Sequence, residues 1–96
     1  MPVYYINSYD IINEEEFKEY PALVAPLLLK YGAEVLAVDT EAISLEGKAS
    51  KMNAVIRFPD EDTALRCYNS DEYQPMKALR QRTTSNCTMI LLKGRD

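Results

Sequence analysis

"MNAVIRFPDEDTALRCYN", Met52 to Asn69, changes its period halfway along, and that change decides the fold. Met52–Phe58 is an apolar run with valine, isoleucine and phenylalanine that reads as a strand, and Pro59 ends it. The acids of "DEDTALRCYN" then fall in a first helical turn, with Ala64, Leu65, Cys67 and Tyr68 beyond them, so a helix follows the strand. The next stretch, "NSDEYQPMKALRQR" (Asn69–Arg82), looks polar enough to be a solvated surface. Ser70 suits the turn after the helix, and Pro75 the first position of a further short helix, with Gln74 as its cap or neighbour. Met76, Leu79 and Ala78 are expected to pack inward, while Lys77, Arg80, Gln81 and Arg82 face water. "TMILLK", Thr88–Lys93, is the last strand.

Working upstream, Gly47–Lys51 is a polar turn, and "EVLAV" (34–38) and "AISLE" (42–46) read as two short strands or one long bent one. Before them lies a helical pattern from about Glu14 to Tyr31. Asn13 is its N-cap, Glu14, Glu15 and Glu16 favour its positive end, and Gly32 is its stop. Glu16 is placed to close a capping box. Pro21 and Pro26 each remove an internal hydrogen bond, so this helix is expected to bend or break. Val3–Ile11, rich in tyrosine and isoleucine, is the first strand. One face carries Val3, Tyr5, Asn7 and Tyr9, the other Tyr4, Ile6, Ser8 and Asp10, and both are expected to meet protein.

The order β-α-β-β-α-β is the split βαβ, or ferredoxin-like, α+β unit: a four-stranded antiparallel sheet with both helices on one face. The strands hold Tyr5, Leu36, Ile56, Ile90 and Leu92, more apolar surface than one monomer can cover. Two sheets pairing face to face in a homodimer, a dimeric α+β barrel, would cover it.

Ninety-six residues, 47% hydrophobic and 27% charged, make a single globular domain spanning 1–96. The longest apolar run, Ala22–Leu29, is too short to span a bilayer, and the N-terminus has neither the basic segment nor the cleavage site of a secretory signal. A cytoplasmic protein without a membrane partner is expected. A net charge of −4 argues against nucleic acid, since the basic cluster Lys77, Arg80, Arg82 sits beside Asp71 and Glu72. Cys67 and Cys87 form no metal-binding pair, there is no histidine, and both thiols are expected to be buried, reduced and structural. No metal or cofactor is expected.

Without histidine, a general base would be a desolvated carboxylate, or a tyrosine or lysine of lowered pKa. Asp10 and Glu46 are the acids nearest strand ends. Asn7 and Arg57 are polar interruptions of apolar strands, and groups of that kind persist when a side chain, water or a ligand satisfies them. Seven tyrosines against two phenylalanines favour aromatics with a polar handle. Tyr20 and Tyr31 read as core; Tyr5, Tyr68 and Tyr73, with Gln74, join Asn7 and Arg57 as ligand-binding candidates.

Lys30–Gly32, Leu45–Gly47, Phe58-Pro59, Ala64, Tyr68, Ser70, Glu72-Tyr73-Gln74-Pro75 and Arg80 together form a pattern that covers essentially the whole chain. It resembles an uncharacterised bacterial family, domain of unknown function 1330, of the dimeric α+β barrel superfamily. Cys67 departs from the pattern where relatives often carry an aromatic, frequently tryptophan, and Asp71 stands where many have proline. The resemblance implies the fold and a homodimer, and no catalytic residues. The wider superfamily includes cofactor-free oxygenases, isomerases, haem-degrading proteins and ligand-sensing domains, with sites between sheet and helices or within the barrel. The expected function is small-molecule binding or sensing in a modest pocket. The alternative is a cofactor-free oxygenase or isomerase acting on an aromatic or polyketide-like molecule.

Overall fold

The computed structural model describes residues 1–95. The chain runs β1 (Val3–Ile11), α1 (Glu14–Phe17), α2 (Glu19–Lys30), β2 (Glu34–Asp39), β3 (Met52–Phe58), α3 (Glu61–Asn69), α4 (Tyr73–Thr83) and β4 (Thr84–Lys93). The strands form one four-stranded sheet in the order β2-β3-β1-β4, with every neighbouring pair antiparallel. This is the ferredoxin-like α+β architecture expected from the strand and helix order. No helix among the described residues is long and apolar enough to cross a membrane.

β1 is central, and strict alternation sorts its residues. Val3, Tyr5, Asn7 and Tyr9 are buried under the helices, joined across the ladder by Phe58, Ile56, Ala54 and Met52 of β3. The core continues into Phe17, Tyr20, Leu27 and Leu28 of α1 and α2, Ala64 and Cys67 of α3, and Tyr73 and Leu79 of α4. Tyr31 packs partly buried against it.

The first helix breaks as Pro21 requires, whereas Pro26 lies inside α2 without ending it. α1 stops at Phe17, whose carbonyl the Pro21 ring would meet in a continuous helix, and Pro21 becomes the third residue of α2, where its missing N–H costs nothing. Asn13 caps α1 by accepting from the Glu16 amide at 3.1 Å. The capping box is only half made: Glu16 turns its carboxylate to Arg82 (2.6 Å) and the Asn13 amide donates to the Thr83 carbonyl, tying the helix start to α4. At the other end Gly32, with φ +71°, lets Ala33 donate back to the Leu28 carbonyl in a left-handed cap.

Several expectations are corrected, among them the inward packing of Ala78, which is exposed on α4. Residues 42–46 form no strand and belong to the β2–β3 connection. β2 is an edge strand paired only with β3, and "AISLE" does not fold back onto its outer side, so Ile43 and Leu45 are exposed. β4 begins at Thr84 rather than Thr88. Asn86, at φ +52°, makes a bulge opposite Tyr9 that lets a polar stretch pair with Asp10 and Ile11. α4 begins at Tyr73, so Pro75 is its third residue rather than its first. Finally, Arg80 is not solvated: it is 3% exposed.

Both cysteines are free thiols, but Cys87 beside the bulge is exposed, against the expectation of burial, whereas Cys67 is buried in α3. Burial, aided by the nearby Glu72 carboxylate, pushes the Cys67 thiol up to about 11. A thiol-alkylating reagent at neutral pH should therefore label the native protein at Cys87 alone, and both cysteines after denaturation. Peptide mapping that finds Cys67 labelled first, or a 67–87 disulfide, would contradict this arrangement.

Candidate functional site

A cavity of about 450 Å³ lies between the inner face of the sheet and α2. Its floor is Tyr5, Asn7 and Tyr9 of β1 with Met52, Ala54 and Ile56 of β3; its roof is Phe17, Tyr20, Pro21, Val24 and Leu28. Tyr73 of α4 and Met89 of β4 also line it. The space exists because small residues stand where large ones would fill it. Ala54 pairs directly with Asn7, and Ala25 and Ala33 sit opposite. A register shift between Val35 and Ala37 in β2 breaks the alternation there, so Val35 and Val38 both face the cavity. These two and Leu29 are exposed, which opens the cavity along the β2 side.

The lining is apolar except for one amide and the phenols. Asn7 is 6% exposed, and its Oδ1 is the one buried side-chain polar atom without a partner among the described residues. Leaving such an acceptor dry and unpaired costs about 1–3 kcal/mol. The phenols are tied down. Tyr5 donates to the Ala64 carbonyl of α3, and the Tyr20 and Tyr73 hydroxyls are 2.7 Å apart. Behind them Arg80 donates from Nε to the Tyr73 hydroxyl (3.3 Å) and from Nη1 to Cys87 Sγ (2.9 Å). Burial pushes the Tyr9 phenol up to about 12 although the Arg80 charge pulls it back. Burial raises Tyr5 and Tyr20 as well. All three are neutral near pH 7, and Tyr5 and Tyr20 serve as hydrogen-bonding groups, not bases. Among the described residues no Asp, Glu, Lys or Cys lines the cavity, and no three His, Cys, Asp or Glu side chains gather as a metal site.

Of the residues singled out from sequence, the fold brings Tyr5, Asn7 and Tyr73 together and leaves the other three outside. Arg57 alternates with the buried Ile56 and Phe58, so it projects from the opposite sheet face, level with Tyr4 and Glu34. Tyr68 packs its ring against Tyr73 (5.5 Å between centroids) on the side away from the cavity, with Lys77 Nζ 4.8 Å from its own ring. Gln74 Nε2 is used in the turn, donating to the Ser70 carbonyl at 2.9 Å and the Tyr68 carbonyl at 3.1 Å. Of the acids, Glu46 is exposed in the β2–β3 connection. Asp10 accepts from the Lys51 amide (3.0 Å) and then from Asn86, bonds that hold its carboxyl below the usual range. Neither acid reaches the cavity.

Two contributors were not singled out. Tyr9 shares the face of Tyr5 and Asn7 by simple alternation, a signal present in the sequence. Arg80 was hidden by its charge. Yet Tyr73, Met76, Arg80 and Thr83 keep helical spacing along one stripe of α4.

Sheet order, helix placement and the cavity between them define a ferredoxin-like α+β protein with a sheet–helix pocket. The profile of the family described as domain of unknown function (DUF1330) matches residues 2–95, and the chain belongs to that family. No curated protein matches it significantly. Among solved structures, a protein of unknown function from Rhodopseudomonas palustris superposes with a TM-score of 0.83 at 15% identity, over 99% of this chain and 83% of that one. SnoaB, a cofactor-independent oxygenase from Streptomyces nogalater, gives 0.74 at 14% identity, over 99% and 94%. A dimeric protein of unknown function with a ferredoxin-like fold from Bacteroides fragilis gives 0.65 at 11%, over 97% and 96%. At these identities the likeness is one of fold.

Proposed function

We propose that this protein is a homodimeric binding or sensing module. It takes a small, mostly apolar molecule carrying one hydrogen-bond donor into the sheet–helix cavity. The unpaired Oδ1 of Asn7 in an otherwise apolar lining carries this reading. A buried acceptor without a partner is a cost to the free protein that a donor on the ligand would offset. Tyr5, Tyr9 and Phe17 supply flat walls, which suits an aromatic body. The cavity's volume matches a ligand of small-metabolite size.

The fold likeness to SnoaB supports a second reading, a cofactor-free oxygenase or isomerase. It is the weaker one, because among the described residues the cavity's polar lining is one amide and four phenols, and burial raises Tyr5, Tyr9 and Tyr20. Consumption of oxygen or conversion of a bound aromatic would favour it over simple binding.

Asn7→Leu separates a ligand contact from a structural amide. If the amide serves a ligand, the variant should unfold at the same denaturant concentration as the parent or gain about 1–3 kcal/mol. The parent should also be stabilised more by 2-naphthylmethanol, whose alcohol donates a hydrogen bond and does not ionise, than by 2-methylnaphthalene in thermal shift, and the variant should lose that preference. A variant destabilised by a similar amount, with the 2-naphthylmethanol preference intact, would end the proposal.

A further inference from the structure

The charge behind Tyr73 says more about the ligand than the cavity's shape does. Five ion pairs form among the described residues, and Arg80 takes part in none of them. It is nevertheless 3% exposed. The groups that face it are Tyr9 of β1, Tyr20 of α2, Tyr73 of its own helix and Cys87 of β4. None is a carboxylate. A guanidinium withdrawn from water without a counter-charge is costly, and a fold retains one where an anion can come to it.

The hydroxyl count says where the anion would sit. Tyr20 and Tyr73 have one O–H each, and a single one serves the bond between them. Arg80 Nε–H already occupies one lone pair of the Tyr73 oxygen. Whichever phenol donates to the other, one O–H is left over, on a pair of rings that both line the cavity. A leftover donor backed by a positive charge is the arrangement that stabilises an oxyanion.

Resting on the binding role proposed above, we infer that the cavity selects an acidic hydroxyl compound, a phenol or an enol, and holds it as the phenolate or enolate. The Tyr20–Tyr73 pair donates to the ionised oxygen, Arg80 supplies the counter-charge through Tyr73, and Asn7 takes a separate donor on the same ligand. The ligand's proton passes to solvent on binding, so no group of the protein changes charge. Arg80 and Tyr73 are thus specificity residues for the ionised form, whereas shape alone would not distinguish it from its neutral ether.

The test uses 7-hydroxycoumarin, whose absorption distinguishes phenol from phenolate, beside 7-methoxycoumarin, which has no proton to lose. Bound to the parent protein, 7-hydroxycoumarin should show an ionisation midpoint lowered by at least about one pH unit, a tenfold preference for the phenolate. Tyr73→Phe and Arg80→Met should each abolish that shift while 7-methoxycoumarin binds as before. If Arg80→Met fails to fold, Tyr73→Phe, which removes a single oxygen, decides the matter. A midpoint unshifted or raised on binding, or a shift that survives Tyr73→Phe, overturns the inference and leaves the apolar-ligand role standing if 7-methoxycoumarin still binds. Binding of neither coumarin overturns both.

Discussion

Between pH 10 and about pH 12 the protein is expected to lose most of its stability, and the tyrosines that line the cavity are the reason. In the unfolded chain a phenol ionises near 10.0; in the fold Tyr9 is pushed up to about 12 by burial. The unfolded state therefore releases its proton first as pH rises. The phenols' share of stability is whole below pH 10, falls as the unfolded phenols ionise, and is fully lost once pH passes the folded value. Tyr9 alone accounts for about 2 kcal/mol over that span. Tyr5 and Tyr20 are raised in the same direction by the same cause, so their losses add. Against the whole stability of a small domain, about 5–15 kcal/mol, the Tyr9 loss alone is already a large fraction. Denaturant melts at successive pH values, followed by circular dichroism, should show a midpoint that begins to fall near pH 9, where the unfolded Cys67 thiol ionises ahead of the folded one at about 11, and that collapses above pH 10 as the phenols follow. Tyr9→Phe should make the fall shallower. A midpoint that holds through pH 12, or a fall in stability that Tyr9→Phe leaves unchanged, would mean the phenols are not buried as described.

The second large effect concerns the sheet face away from the helices. Tyr4 and Ile6 of β1, Val55 of β3, and Ile90 and Leu92 of β4 share it through the ladder register, and Ile90 and Leu92 are 54% and 52% exposed. Arg57 and Glu34 stand side by side across the β2–β3 ladder at its margin. An apolar strand face of this extent calls for a cover, and a second copy of the same face is the one we propose. The parent protein should then sediment at micromolar concentration as twice 11.0 kDa. Ile90→Asp would bury an unpaired carboxylate at the pairing surface at a cost of about 3–5 kcal/mol. That weakens association by roughly 100- to 5,000-fold for each such carboxylate, enough to give monomers in the same experiment with the circular dichroism of the fold retained. A monomeric parent, or an Ile90→Asp variant that stays dimeric, would refute the face-to-face arrangement.

Local chemistry was legible in this sequence wherever a residue's own covalent structure imposes the outcome. Pro59 ends β3 and Pro21 separates α1 from α2 because neither ring tolerates the alternative; Gly32 stops α2 in a left-handed turn open to it; Asn13 caps α1. The period-two pattern of Val3–Ile11 likewise set Tyr5, Asn7 and Tyr9 on one face. The order of elements then led to the ferredoxin-like sheet.

Which face a residue occupies, and what awaits it there, was decided only in three dimensions. Arg57 and Asn7 read alike as polar interruptions of apolar strands, yet register sends Asn7 into the cavity beside Ala54 and Arg57 to the opposite face. "AISLE" has the composition of a strand but does not fold back onto the outer side of β2, and a strand needs its partner's hydrogen bonds. Arg80 lies on the buried stripe of α4 by spacing, but its charge read as solvated. Only the approach of Tyr73 and Cys87, from another turn of the helix and from β4 beyond the Asn86 bulge, supplies the acceptors that let a guanidinium stay inside. The sequence by itself thus determined the elements and their order, because those follow from dihedral limits and periodicity along the chain. The cavity, its unpaired amide and its hidden charge were decided by tertiary structure, because each depends on atoms that the sequence places far apart and the sheet brings together.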